Sequence, residues 1–79
     1  TIDGAEVHPR EVARHALRLN AAAVVVAHNH PSGETDPSAA DRAVTSRMKQ
    51  ALALLDIRLL DHCIVGGRQS LSMAARGWV

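Results

Sequence analysis

Aromatic residues are almost missing from this 79-residue chain: Trp78 stands alone, with no Phe and no Tyr. Binding of single-stranded nucleic acid wants stacking platforms beside a basic groove, and one aromatic cannot supply them. Charge of one sign is missing too. Nine Lys and Arg against eight Asp and Glu leave a formal net charge of +1, with no basic block of the kind duplex binding would need. A single cysteine, Cys63, excludes an internal disulfide and a cysteine zinc cluster. It fits a reducing, cytoplasmic setting. The longest apolar stretch, Ala21 to Ala27, is far too short to span a bilayer. No signal peptide, internal repeat or low-complexity tract is visible.

A chain of this length makes at most one small domain. Such a domain buries only about 60% of its unfolded surface. The sequence opens on Thr1 rather than Met, so the expectation is a single domain over 1–79 that is incomplete at its N-terminus.

Residues 1–7 read as a short strand or an irregular entry, with Gly4 marking a turn or bulge. His8-Pro9 starts a helix, because Pro suits the first helical position. Val12, Ala16 and Leu17 carry its apolar stripe to about Leu19, and Asn20 tolerates the left-handed geometry of a helix end. The valine-rich run from Ala22 to His28 reads as a strand covered on both faces. Pro31-Ser32-Gly33 and Asp36-Pro37 make a loop. Ser38 ahead of Ala39-Ala40-Asp41 resembles a capping box opening a helix to about Leu54. Residues 57–60 and 62–65 are two apolar stretches, or one long bent strand. Gly66-Gly67 signals a hairpin turn, Ser70-Leu71-Ser72 a short return strand, and 74–77 a final helical turn. The order helix, strand, helix, strand, strand gives an α/β fold: a small mixed sheet with helices packed on it.

The chemistry concentrates between His28 and Asp41. Side chains two apart on an extended segment face the same way, so His28 and His30 can converge on one point while Asn29 points opposite. Strand ends are where ligands sit in α/β sheets. Asp41 falls in the first turn of the following helix, where a carboxylate is favoured by the helix dipole. Two imidazoles and one carboxylate match the ligand set of hydrolytic zinc and leave a fourth position open. A metal so held brings the pKa of a bound water to about 7. Ser38, at the mouth of the same helix, could donate a hydrogen bond to an oxyanion. The blander reading of Ser38 and Asp41 is a helix cap, and capping and catalysis are compatible. A bare His-x-His pair is often only a polar rim; its combination with this loop and helix start is far more specific than its parts.

Other residues read more plainly. His62 is a structural histidine with a hydrogen bond, or a residue that orients a ligand from behind. Cys63 is a small buried apolar residue rather than a nucleophile. His8 is a surface or capping residue and His15 is solvated. Trp78 is a packing anchor. Arg42 and Arg47 lie on a solvated helix face, or meet a substrate carboxylate.

The spacing His-x-His, seven residues, Ser, two residues, Asp resembles the JAMM motif of the MPN/JAB-domain metalloproteases, with His28, His30, Ser38 and Asp41 at every matching interval. The segments Val7-His8-Pro9-Arg10-Glu11, Asn20-Ala21-Ala22-Ala23, His28 to Gly33, Pro37-Ser38, Asp61-His62 and Ile64-Val65-Gly66 resemble the bacterial RadC-type proteins more closely still. The resemblance implies a cytidine-deaminase-like α/β sandwich of the JAB/MPN type. It implies one zinc ion per domain, held by His28, His30 and Asp41, with Ser38 supporting the tetrahedral intermediate. It also implies hydrolysis of a peptide or isopeptide bond in a peptide or protein substrate. The family's general acid/base is a glutamate on a strand well before the His-x-His, and the matching strand would precede Thr1. Glu6, Glu11 and Glu34 do not occupy that position. RadC-type proteins carry a DNA-repair label that nothing in these residues supports independently. Three readings therefore compete: a zinc-dependent amide hydrolase domain, a non-catalytic JAB/MPN interaction module, and a DNA-repair-associated protein. No membrane partner is expected.

Overall fold

The computed structural model describes residues 7–79, in the element order α1 (Pro9–Arg18), β1 (Ala23–Asn29), α2 (Ala39–Ala53), β2 (Arg58–Gly66) and β3 (Gln69–Ser72). The strands form one mixed sheet in the order β1-β2-β3, with β1 and β2 parallel and β2 and β3 antiparallel. This is the expected small α/β architecture. The reading of residues 1–6 as a strand or irregular entry lies outside the described residues.

Both helices begin and end for identifiable local reasons. Pro9 opens α1, whose position before the helix is taken by His8 without a side-chain cap. Asn20 takes φ 54 just past its end, and the Ala21 N–H reaches back to the Ala16 carbonyl at 2.9 Å. That is a Schellman closure with asparagine in the left-handed position. Asp56, at φ 59, closes α2 the same way, with the Ile57 N–H on the Leu52 carbonyl. At the other end of α2 the Ser38–Asp41 capping box is complete.

Helix α2 packs on β2, and α1 packs against α2. Their apolar stripes meet the inward face of the sheet in a core of Ala16, Met48, Leu52, Ile57 and Leu59, with Val12, Val24 and Val26 against it. A second cluster of Ile64, Leu71 and Met73 lies under the hairpin and includes Trp78 at its edge. Trp78 is the packing anchor the sequence suggests. The Arg42 guanidinium lies over its ring, 4.3 Å from the centroid.

Three expectations need correction, and the choice left open between two apolar stretches and one long strand is decided. The valine run is not covered on both faces: Val24, Val26 and His28 turn inward, but Val25 is 58% exposed. Among the described residues β1 is an edge strand whose outer face stays open. The two apolar stretches after α2 are one strand, broken in phase by a bulge: Val24 pairs with Leu59 but Val25 with Asp61, leaving Leu60 without a partner. The hairpin turn is Gly67-Arg68 rather than Gly66-Gly67, with Gly67 at φ 59. Residues 73–77 close as hydrogen-bonded turns and not as a helix.

The bulge has consequences for the site. A one-residue slip moves every following side chain to the other face, and bulges re-aim side chains in this way. Because of it, β2 buries Leu59 before the bulge and His62, Ile64 and Gly66 after it. The register then sets His62 beside Val26 and Ile64 beside His28.

Candidate metal centre

His28 is the last inward-facing residue of β1 and is buried. His30 follows one step past the strand, held in extension by its N–H on the Val65 carbonyl at 2.8 Å. The chain then turns at once, with the Gly33 N–H on the His30 carbonyl. The two imidazoles thus share one side and meet edge to face, with ring centroids 4.8 Å apart. Asn29 is exposed on the other side, as alternation predicts.

Asp41 comes to the pair from the first turn of α2. Its Oδ1 lies 3.5 Å from His28 Nε2 and its Oδ2 3.2 Å from His30 Nε2. One donor atom from each of the three residues falls within 4.8 Å of the others. Ligand atoms bound to a tetrahedral zinc at about 2.0–2.1 Å stand about 3.4 Å apart, and the two imidazole–carboxylate separations, each to a different oxygen of Asp41, are close to this. The group could therefore hold a metal ion. The capping box fixes the carboxylate: Oδ2 accepts the Ser38 N–H at 2.8 Å, while Ser38 Oγ accepts the Asp41 N–H at 3.0 Å. Both readings of Ser38 and Asp41 are then compatible, since the cap is what aims the carboxylate.

Protonation follows from geometry. A carbonyl only accepts, so the 2.8 Å bond between His30 Nδ1 and the Glu34 carbonyl places a proton on Nδ1. His30 Nε2 is then turned toward Asp41. Burial lowers the pKa of His28, with His30 adding to this effect and Asp41 opposing it. Burial also works against charge on Asp41, but the Ser38 bonds and the two imidazoles outweigh it and hold the carboxyl below its usual value. Neutral imidazole and ionised carboxylate are the forms that bind metal.

Behind His28 lies a buried chain of polar side chains. His28 Nδ1 is 2.7 Å from His62 Nε2, and His62 Nδ1 is 2.6 Å from Thr45 Oγ1. Thr45 Oγ1 reaches the Asp41 carbonyl one turn earlier on α2, at 2.7 Å. His62 is fully buried, and burial foremost, with His28 next, lowers its pKa. Thr45 escaped the sequence reading; the available signal was its place four residues after Asp41, on the same helix face.

The remaining candidates fall elsewhere. Glu11 sits on the surface of α1, 3.7 Å from Arg14. Glu34 is exposed and serves the site through its carbonyl. Glu6 lies outside the described residues. His15 is exposed, as expected. Cys63 is half-buried rather than buried, and burial together with Asp61 raises its pKa, the reverse of what a nucleophile needs. No helix among the described residues is long and apolar enough to cross a membrane.

A family model described as the RadC-like JAB domain matches residues 1–78. A UPF0758 protein of Xanthomonas campestris pv. campestris is 67% identical over all 79 residues. UPF0758 proteins of Xanthomonas oryzae pv. oryzae and Xylella fastidiosa are 62% and 61% identical over the same span. In each case the chain covers 35% of the relative's length, about a third of a longer protein. With the motif, the fold and these relatives in agreement, the chain belongs to the RadC-like JAB domain family.

Proposed function

We infer that this domain is the metal-binding part of a zinc-dependent hydrolase acting on an amide bond. The observation that carries the reading is the convergence of His28, His30 and Asp41 at a strand end, with His30 held through Nδ1 so that Nε2 faces the carboxylate. Zinc in such a site supplies Lewis acidity and an activated water. The chain's own residues supply the frame. The capping box keeps the Asp41 carboxylate ionised and immobile. Ser38 Oγ accepts one bond within that box, so its own hydrogen is left to donate. A donor at the mouth of the site suits the oxyanion that forms when a carbonyl is attacked. The peptide or protein substrate, and whether its bond is peptide or isopeptide, belong to the same proposal.

Peptide and isopeptide hydrolysis by the full-length protein tests it, with Asp41→Ala as the control. Zinc-dependent cleavage abolished by that change is the expected result. Full zinc loading with no cleavage of any peptide or isopeptide panel would favour the non-catalytic module instead.

A further inference from the structure

We propose that His62, oriented by Thr45, is a positioning residue that locks His28 in its metal-binding tautomer. The inference rests on the metal reading above and adds a residue to it.

The argument is a proton count along a buried chain. Thr45 has one hydroxyl hydrogen and three neighbours that could take it: the Asp41 carbonyl at 2.7 Å, His62 Nδ1 at 2.6 Å and Met73 Sδ at 3.5 Å. The carbonyl four residues back is the usual partner of a helical threonine, and a thioether is a weak acceptor. With the hydrogen on the carbonyl, Thr45 Oγ1 must accept from His62, so His62 carries its proton on Nδ1. A neutral imidazole then has a bare Nε2, which accepts from His28 Nδ1–H. His28 is left with a lone pair on Nε2, aimed at Asp41 and the shared ligand position.

Run in the opposite direction, the chain forgoes one bond and leaves no place for a metal. Thr45 would give its hydrogen to His62, and the bond to the Asp41 carbonyl would be lost. His28 would carry its proton on Nε2, between itself and the carboxylate, where a metal could not bind. The forward direction gives every polar atom from Thr45 Oγ1 to His28 Nδ1 a donor–acceptor partner and leaves His28 Nε2 as the one lone pair, facing the shared ligand position. The chain also starts and ends on ligand residues: it runs from the Asp41 backbone to the His28 ring. His30 is held by a separate route, its Nδ1 on the Glu34 carbonyl. Each histidine thus has its own partner behind it, as metal-binding imidazoles generally do. The β2 bulge puts His62 on the inward face needed for this contact.

The test uses the full-length protein, its His62→Leu and His62→Gln variants, and two readouts. The first is zinc affinity by competition with a chromophoric chelator. The second is the tautomer of His28 in metal-free, 15N-histidine-labelled protein, from long-range proton–nitrogen correlations. Wild type should show His28 protonated on Nδ1. H62L should lose that preference and bind zinc about 10–100-fold more weakly. H62Q, whose amide oxygen can accept from His28 while its NH2 donates to Thr45, should recover most of the affinity. A merely structural histidine would leave the His28 tautomer unmoved. Wild-type His28 protonated on Nε2, or zinc affinity unchanged in H62L, overturns the proposal. Wild-type protein that binds no zinc overturns the metal reading instead, while the tautomer of the same metal-free sample still decides the direction of the chain.

Discussion

At the scale of single residues, Ser38 and Asp61 each combine roles that can be separated by experiment. Ser38 caps α2 and, in the proposed function, also donates to the oxyanion. Ser38→Ala should cost about 0.5–2 kcal/mol of stability through the lost cap, read as a shift in denaturant midpoint. In cleavage assays of the full-length protein it should also lower kcat by about 10²–10³-fold while zinc content holds. A stability loss with kcat unchanged would reduce Ser38 to a cap. Asp61 is a knot between β2, β3 and the terminal turns. It accepts from the Ser72 hydroxyl at 2.6 Å, the Ala74 N–H at 2.9 Å and the His62 N–H at 2.7 Å. Burial works against its charge, but these bonds and the Cys63 thiol prevail and depress its pKa. A carboxyl depressed on folding contributes stability above its unfolded pKa, about 3.9, and the contribution is lost as pH falls through the lower folded value. Asp61→Asn should therefore destabilise by about 1–3 kcal/mol at neutral pH. Unfolding curves should show the gap from wild type shrinking as pH falls below 4.

At the scale of elements, the site depends on where strands stop and loops pack. Gly66 ends β2 directly under the loop that follows His30. A Cβ there would stand 2.6 Å from the Gly33 carbonyl oxygen, a contact with backbone that cannot swing away. Gly66→Ala should then push the 33–34 segment outward and loosen the Glu34 carbonyl that holds His30. A destabilisation of about 1–3 kcal/mol together with weakened zinc affinity is expected, from thermal melts and chelator competition. What the sequence disclosed at this scale follows from local chemistry. Pro9, Asn20, Ser38 and Asp41 mark helix ends because each satisfies or relieves backbone groups at a terminus. The His28–His30 alternation was legible because a strand has period two. The bulge at Leu60 was not, since a register slip is decided by pairing with β1 and leaves no local mark beyond the break between two apolar stretches. The open face of β1 was misjudged for a related reason: Ala23, Val25 and Ala27 are apolar, and apolarity alone does not say which face is covered.

At the scale of the whole molecule, the two clusters of the core hold the sheet and α2 in the alignment that assembles the centre. Ile64 is fully buried, neighbours His28 across the strand pair, and packs with Leu71 and Met73. Ile64→Ala should cost about 2–5 kcal/mol in denaturant unfolding, and zinc affinity should fall with it only where the fold is lost. The candidate ligand group was legible in the sequence because a metal site is written in residue types and intervals. The chain through His62 and Thr45 was only half legible, because it joins β1, β2 and α2 across 34 residues of sequence. The account's central claim is that His28, His30 and Asp41 form one metal centre, and metal analysis of the purified full-length protein tests it most directly. About one zinc per chain, lost in the double change His28→Ala, His30→Ala, is the predicted result; stoichiometric zinc persisting in that double variant would contradict it.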